Sequence, residues 1–403
     1  MASLPLPLAS QATRDSAGVQ IVLNERPSLS AAKAWRVSPV PVLSIGAGSP
    51  LAAGDSLYEF YLLYGMAKLS DGRIAVGVQS THTVRIFDAK GKFVSSFGRN
   101  GKGPGEFRQI MGVHHTRGDT LVVTDLGELE WYSGAGKFIR PGAGDGRNGS
   151  ERFIWPGAFL VDGSHVGVDR NDPEVPAAGR RIEMVNMIVV EGDGARRKTL
   201  GRVATAEAVY SGKDRWGRPV EYAPYGRLAS DGRHIYHGYA STYRIDQWTA
   251  EGKVVRSIRR AFTPVPMNDA VKAEFAKHRL SMPGEDGRPA SPELKALFEK
   301  NLKNAVYAPT LPAFHEIRTD RTGNLWVQHY DPLMALYTPG PVRVQTIAKP
   351  TRWDVFDANG RWLTTVELPA RFTPQEIGAD YVLGVARNED DEEGVRMYRL
   401  VKP

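Results

Sequence analysis

Apolar positions along this chain come in short runs of four to seven residues, each closed by a cluster of Gly, Asp, Asn or Lys, a spacing that suits strands and tight turns. The run MAKLSDGRIAVGV, residues 66–78, sets apolar stretches on either side of Asp71-Gly72, a hairpin signal because φ > 0 costs glycine little. The next run, THTVRIFDAKGKFVSSFG, residues 81–98, turns again at Asp88 to Lys92. Together they predict a four-stranded meander. The second turn returns at Tyr132 to Lys137, Val190 to Ala195, Trp248 to Lys253 and Phe356 to Arg361. The first returns at Arg117 to Asp119, Asp162 to Ser164, Asp231 to Arg233 and Arg321 to Asn324. Five copies of a two-turn, four-strand phrase predict an all-β fold, a β-propeller. The C-terminal stretch from Glu376 supplies three strands only, so Val40 to Gly46 is expected to add the fourth and close a ring of six blades.

Repeats of the form DGRI, FD-GK and FG, joined by GKGPGEF, resemble the NHL-type six-bladed β-propellers, above all the bacterial extracytoplasmic ones. The opening Thr13 to Val19, followed by IVLN, resembles the start of such secreted propellers. The resemblance implies a single propeller domain over residues 17–403, with residues 1–16 a disordered or export-related tail. It implies a periplasmic or otherwise extracytoplasmic protein, although MASLPLPLASQA lacks the basic segment of a complete signal peptide. The glycine-rich FGRNGKGPGEF, residues 97–107, has strands on both sides and no following helix, so it reads as a blade connector with Phe107 tucked between blades, not as a phosphate loop.

Composition narrows the chemistry. With no cysteine among 403 residues, a disulfide framework, a thiolate metal site and a cysteine nucleophile are all excluded. No apolar window is long enough to span a bilayer. The net charge of +7 favours anionic surfaces in general, but no basic stripe is interleaved with aromatics, which argues against nucleic acid. The clusters Arg196 to Lys198, Arg256 to Arg260 and Glu389 to Glu393 read as solvated turns or edges.

Six blades need only about 250–270 residues, so much of the chain is insertion. Asn171 to Arg180 and Asp331 to Thr351 fall between second and third strands, while Gly201 to Pro224 and Ala261 to Pro312 fall between blades. All four are expected on one face, the top. Residues 261–312 are expected to be partly helical: Asn268 or Asp269 caps a helix carrying Val271, Phe275 and His278, and Ser291-Pro292-Glu293 starts another with Leu294, Leu297, Phe298 and Leu302. Their apolar residues either cap the propeller or form a docking surface. Phe275, Leu294, Leu297, Phe298, Trp216 and Tyr222 are the expected partner contacts.

Propeller enzymes gather ligands where innermost strands enter the central channel; here the polar candidates are His315, Glu316, Glu376 and Tyr225. His315, Glu316 and Glu376 would be the metal ligands of a lactonase-like hydrolase or lyase. Neither His114-His115 nor His234 with His237 has the spacing of a zinc pair on one strand face. Asp169 to Asp172 lacks most of a calcium loop. Trp155, Trp216, Tyr222 and Tyr225 would serve a third reading, a glycan-binding propeller. The leading expectation is a non-catalytic scaffold needing no cofactor, which binds protein through its top-face insertions as an accessory subunit of a membrane-bound assembly, such as a respiratory or photosynthetic complex.

Overall fold

A computed structural model describes residues 11–50, 54–126, 128–142, 156–169, 176–192, 197–213, 217–282, 289–332 and 348–403. The chain folds as a six-bladed β-propeller of four-stranded antiparallel sheets, at residues 63–97, 110–141, 156–210, 226–260, 317–368 and 372–401. We number these blades 1 to 6. The ring closes as the pattern requires: Leu43–Gly46 pairs antiparallel with the third strand of blade 6, Ile45 opposite Val395 and Leu43 opposite Met397. Blade 6 is thereby completed from the other end of the chain.

The repeat is held by its turns. In blade 1, Asp71 accepts the Arg73 amide at 3.0 Å and Asp88 accepts those of Lys90 and Lys92 at 2.8 and 2.9 Å. Asp231, Thr249, Asp320 and Asp357 do the same in blades 4 and 5. Each side chain satisfies amides that the tight turn leaves without a strand partner. Because every sheet is sandwiched between two others, strands such as Ile74–Val78 are buried on both faces and read as continuous apolar runs. The core is accordingly a set of layers between blades, with Ile45, Leu383 and Val395 of blade 6 packed on Ile74, Val76 and Phe87 of blade 1. The GKGPGEF connector closes on itself: the Glu106 carboxylate accepts the Lys102 and Gly103 amides at 3.0 and 2.9 Å, and Phe107 is fully buried against Phe97 and Tyr132.

Three expectations are corrected. Residues 11–16, assigned to the tail, form a strand, Gln11–Ser16, hairpinned to Val19–Asn24; the latter runs parallel to the outermost strand of blade 4, Val254–Arg260. Asn24 then bridges to blade 5, donating to the Gly360 carbonyl at 3.0 Å and accepting the Trp362 amide at 2.8 Å. A hairpin that adds to the outside of a blade breaks no repeat, so periodicity does not announce it. Next, part of each blade 3 insertion is strand and not loop. Gly179–Val190 and Arg197–Tyr210 form one long antiparallel pair, which prolongs the two outer strands of blade 3 beyond its neighbours.

Finally, two charge clusters are structural. Arg256 donates to Gln20, Gln247 and the Ala358 carbonyl, joining the N-terminal hairpin, blade 4 and blade 5. Arg387 and Glu393 form a buried ion pair, and Glu393 also accepts the Leu63 amide at 2.8 Å across the closure between blades 6 and 1. Glu389 to Glu392 do remain exposed. Like charges adjacent in sequence need not share a fate, because alternate strand residues face different layers.

Candidate functional site

The top face, which carries the blade connectors and the loops between second and third strands, also carries the helical insertion. Helix α1 spans Asp269–Ser281 with Asn268 capping the Val271 amide at 3.0 Å. Helix α2 spans Pro292–Lys303, with Ser291 capping Leu294 at 3.2 Å and proline in its first turn. Both starts match the capping residues in the sequence.

Phe275 and Tyr222 are buried against each other, ring centroids 5.6 Å apart, in a satellite core with Leu311, Val271, Leu302 and Tyr307. They attach the insertion to the propeller, which leaves the outward positions for any partner. Leu297 is 49% exposed, while Leu294 and Phe298 are half-buried. Trp216 lies outside the described residues, as do Trp155 and Arg170 to Asp172. We expect Phe275→Ala to release the helices without unfolding the ring, because it removes about 3–5 kcal/mol of packing from the satellite core alone. Limited proteolysis should then cut within residues 261–312 while the main thermal transition barely moves.

Two cavities lie along the innermost strands that line the central channel. At the upper end, a cavity of about 350 Å³ is lined by Gly157, Arg227, Leu228, His237, Glu316 and Arg318, among others. At the lower end, one of about 430 Å³ touches all six blades, including His114, Asp231, Arg321 and Glu376. The candidate ligands are therefore divided. His315 and Glu316 lead into the innermost strand of blade 5, Ile317–Thr319, at the top. Glu376 is near the bottom of blade 6, as the next-to-last residue of its innermost strand, Phe372–Ile377. Its carboxylate is already used, accepting from the Tyr381 hydroxyl, Arg321 at 2.8 Å and the Lys68 amide. Among the described residues, no three His, Asp or Glu side chains converge as metal ligands.

The histidines separate similarly. His114 lines the lower channel cavity as an exposed residue, its ring 4.5 Å from that of Phe159, and its pKa is held down to about 4 by desolvation from the surrounding chain and then by the charge of Arg318. His115 instead pairs with Asp119 at 3.0 Å, whose other carboxylate oxygen accepts the Ser70 hydroxyl. Here the carboxylate stands between serine and imidazole. A nucleophilic serine needs the imidazole in the middle.

In the upper cavity, Arg227 donates through Nε to the His315 carbonyl at 2.7 Å, and Arg318 through Nη1 to the Gln375 carbonyl at 3.4 Å. Glu316 accepts its neighbouring Ile317 amide at 3.0 Å. Burial raises the Glu316 carboxyl, but Arg227 and Arg318 outweigh that and hold its pKa below the ordinary value. His315 is pushed down to about 4, first by burial and then by Arg227. Its ring lies 6.2 Å from Tyr330, which packs on the satellite core of the insertion. Arg227 and Arg318 were absent from the sequence-derived candidates. The only available signal was their position on innermost strands with alternate residues facing the channel.

Residues 64–123, blade 1 and the first half of blade 2, match a family described as 6-bladed beta-propeller. No curated protein matches the chain. Among solved structures, a member of the DUF4221 family from Bacteroides vulgatus aligns with a TM-score of 0.53 at 11% identity, covering 92% of this chain and 99% of that one. A putative exported protein from Bacteroides fragilis reaches 0.47 at 12% identity, over 95% and 99% of the two chains. A gluconolactonase from Xanthomonas campestris reaches 0.41 at 14%, over 93% and 99%. The similarity to the Bacteroides vulgatus protein is one of fold.

Proposed function

We propose that this propeller is a non-catalytic scaffold whose top face binds a protein partner. The observation that carries the reading is the distribution of exposed apolar side chains. Among the described residues, Ile182 and Met184 on the blade 3 extension, Tyr225 and Val265 at connectors, and Leu280 and Leu297 on the helices are all at least 37% exposed, while Val40, Val42, Val94, Ile139 and Val161 are exposed away from the insertions. Apolar side chains gathered on an insertion-bearing face mark an interaction surface more often than scattered ones do. The rigid ring suits such a role because it fixes loops of any length without disturbing the layers between blades.

A membrane-bound assembly approached from the extracytoplasmic side is the partner class we favour. The resemblance of the repeats to extracytoplasmic propellers supports it, as does a basic chain with sequence pI ≈ 9.4 near anionic lipid. Among the described residues no helix is long and apolar enough to cross a membrane. The test is capture from native membranes with the full chain against a Leu280→Asp/Leu297→Asp variant. The intact chain should retain a membrane protein that the variant loses by at least about tenfold, since buried apolar anchors carry most interface energy. Equal recovery by both chains would refute a top-face interface.

A further inference from the structure

We infer that the upper end of the channel is a binding site for a carboxylate group, received by Arg227 and Arg318 with Glu316 facing the same space. The inference stands apart from the protein-partner reading, since it concerns the channel interior and not the helical platform.

Three observations carry it. First, two guanidiniums and one carboxylate line one cavity of about 350 Å³, yet neither Arg227 nor Arg318 forms an ion pair with Glu316, and their hydrogen bonds go to backbone carbonyls. Charges so placed meet backbone carbonyls but no opposite charge in direct contact, an arrangement that an anionic ligand would complete. Second, Nε of Arg318 is buried with no hydrogen-bond partner, and the other bond of that guanidinium is long at 3.4 Å. A guanidinium presents its donors as a planar fork matched to a carboxylate.

Third, the charges do not balance. Burial holds the pKa of His237 down, and the other charged side chains lining the cavity are two positive, Arg227 and Arg318, against one negative, Glu316. A single carboxylate neutralises it. A doubly charged phosphate would exceed the balance and meet Glu316 with like charge. Glu316 in turn favours a ligand with a hydroxyl or N–H near its carboxylate. The cavity admits a small molecule or one residue of a peptide. Gly157 and Gly226, on innermost strands, line its wall without filling it.

Calorimetric titration of the full chain distinguishes the sources of such a group. Acetate and serine probe free carboxylates, a short peptide ending in serine probes a polypeptide one, and phosphate and ethanolamine are controls. Saturable binding of a free carboxylate or of the peptide, weakened at least about tenfold in Arg318→Gln and in Arg227→Gln, is the expected result. Arg227→Lys, which keeps the charge but not the fork, should fall between. Cooperative unfolding of each variant shows that it has folded, and should Arg318→Gln fail to fold, Arg227→Gln decides. No carboxylate binding at millimolar concentration, a response to phosphate alone, or unchanged affinity in folded Arg227→Gln would overturn the assignment.

Discussion

Asp354→Ala should lower the stability of the ring by about 3–5 kcal/mol at neutral pH, the cost of leaving buried partners without their charge. Asp354 is fully buried in blade 5 and gathers four partners: the Tyr243 hydroxyl at 2.7 Å, the Thr365 hydroxyl at 2.7 Å, His329 Nε2 at 2.9 Å and the Arg260 guanidinium. Tyr243 and Arg260 belong to blade 4, so this carboxylate joins two blades. Arg260 would lose its anion while still held against the Trp362 ring at 4.3 Å.

Burial acts to raise the Asp354 carboxyl pKa, but His329, Arg260 and Thr365 overcome it and the net shift is downward. A carboxyl with a depressed folded pKa binds more protons unfolded than folded. Its contribution is therefore complete above its unfolded pKa, about 4, and is lost as pH falls through the lower folded value. Urea unfolding at several pH values checks this. The gap between Asp354→Ala and the parent chain should be widest at neutral pH and shrink on acidification; a gap independent of pH would contradict the role.

The closing strand should matter as much. Leu43→Ala/Ile45→Ala should cost about 4–10 kcal/mol, because each buried aliphatic truncation costs about 2–5 kcal/mol. Ile45 is fully buried and Leu43 is 6% exposed, whereas Val40 and Val42 just before them are 67% and 54% exposed. Val40→Ala/Val42→Ala is thus the matched control and should leave the urea midpoint nearly unchanged. Comparable loss in both pairs would mean that blade 6 does not depend on closure from the N-terminal side. The same cut through the ring would also expose Glu393 and Arg387, which are paired in the layer beneath.

The repeat was legible because its turns carry local chemistry. Asp71, Asp88, Asp231 and Asp357 each bond amides two to four residues ahead, so neighbours in sequence specify them. The helix starts at Asn268 and Ser291 were legible for the same reason. The candidate site was not. Arg227 and Arg318 are 91 positions apart (318 − 227) and share a cavity only because blades 4 and 5 are neighbours in the ring. Glu376 was grouped with His315 and Glu316, but its strand begins at Phe372 and carries it to the other end of the channel, a boundary that local patterning does not resolve.

Alone, then, the sequence determined how many blades there are, where each turns, which strand completes the last one and where the long insertion becomes helical. These follow from interactions within a few residues and from a period repeated along the chain. Tertiary structure alone decided which charges are buried. It placed Asp354 between blades, Arg256 beneath a hairpin added from outside the repeat, and Arg227, Arg318 and Glu316 around one cavity. The reason is that desolvation and charge pairing depend on distance in space, and a closed ring brings together residues that no local pattern relates.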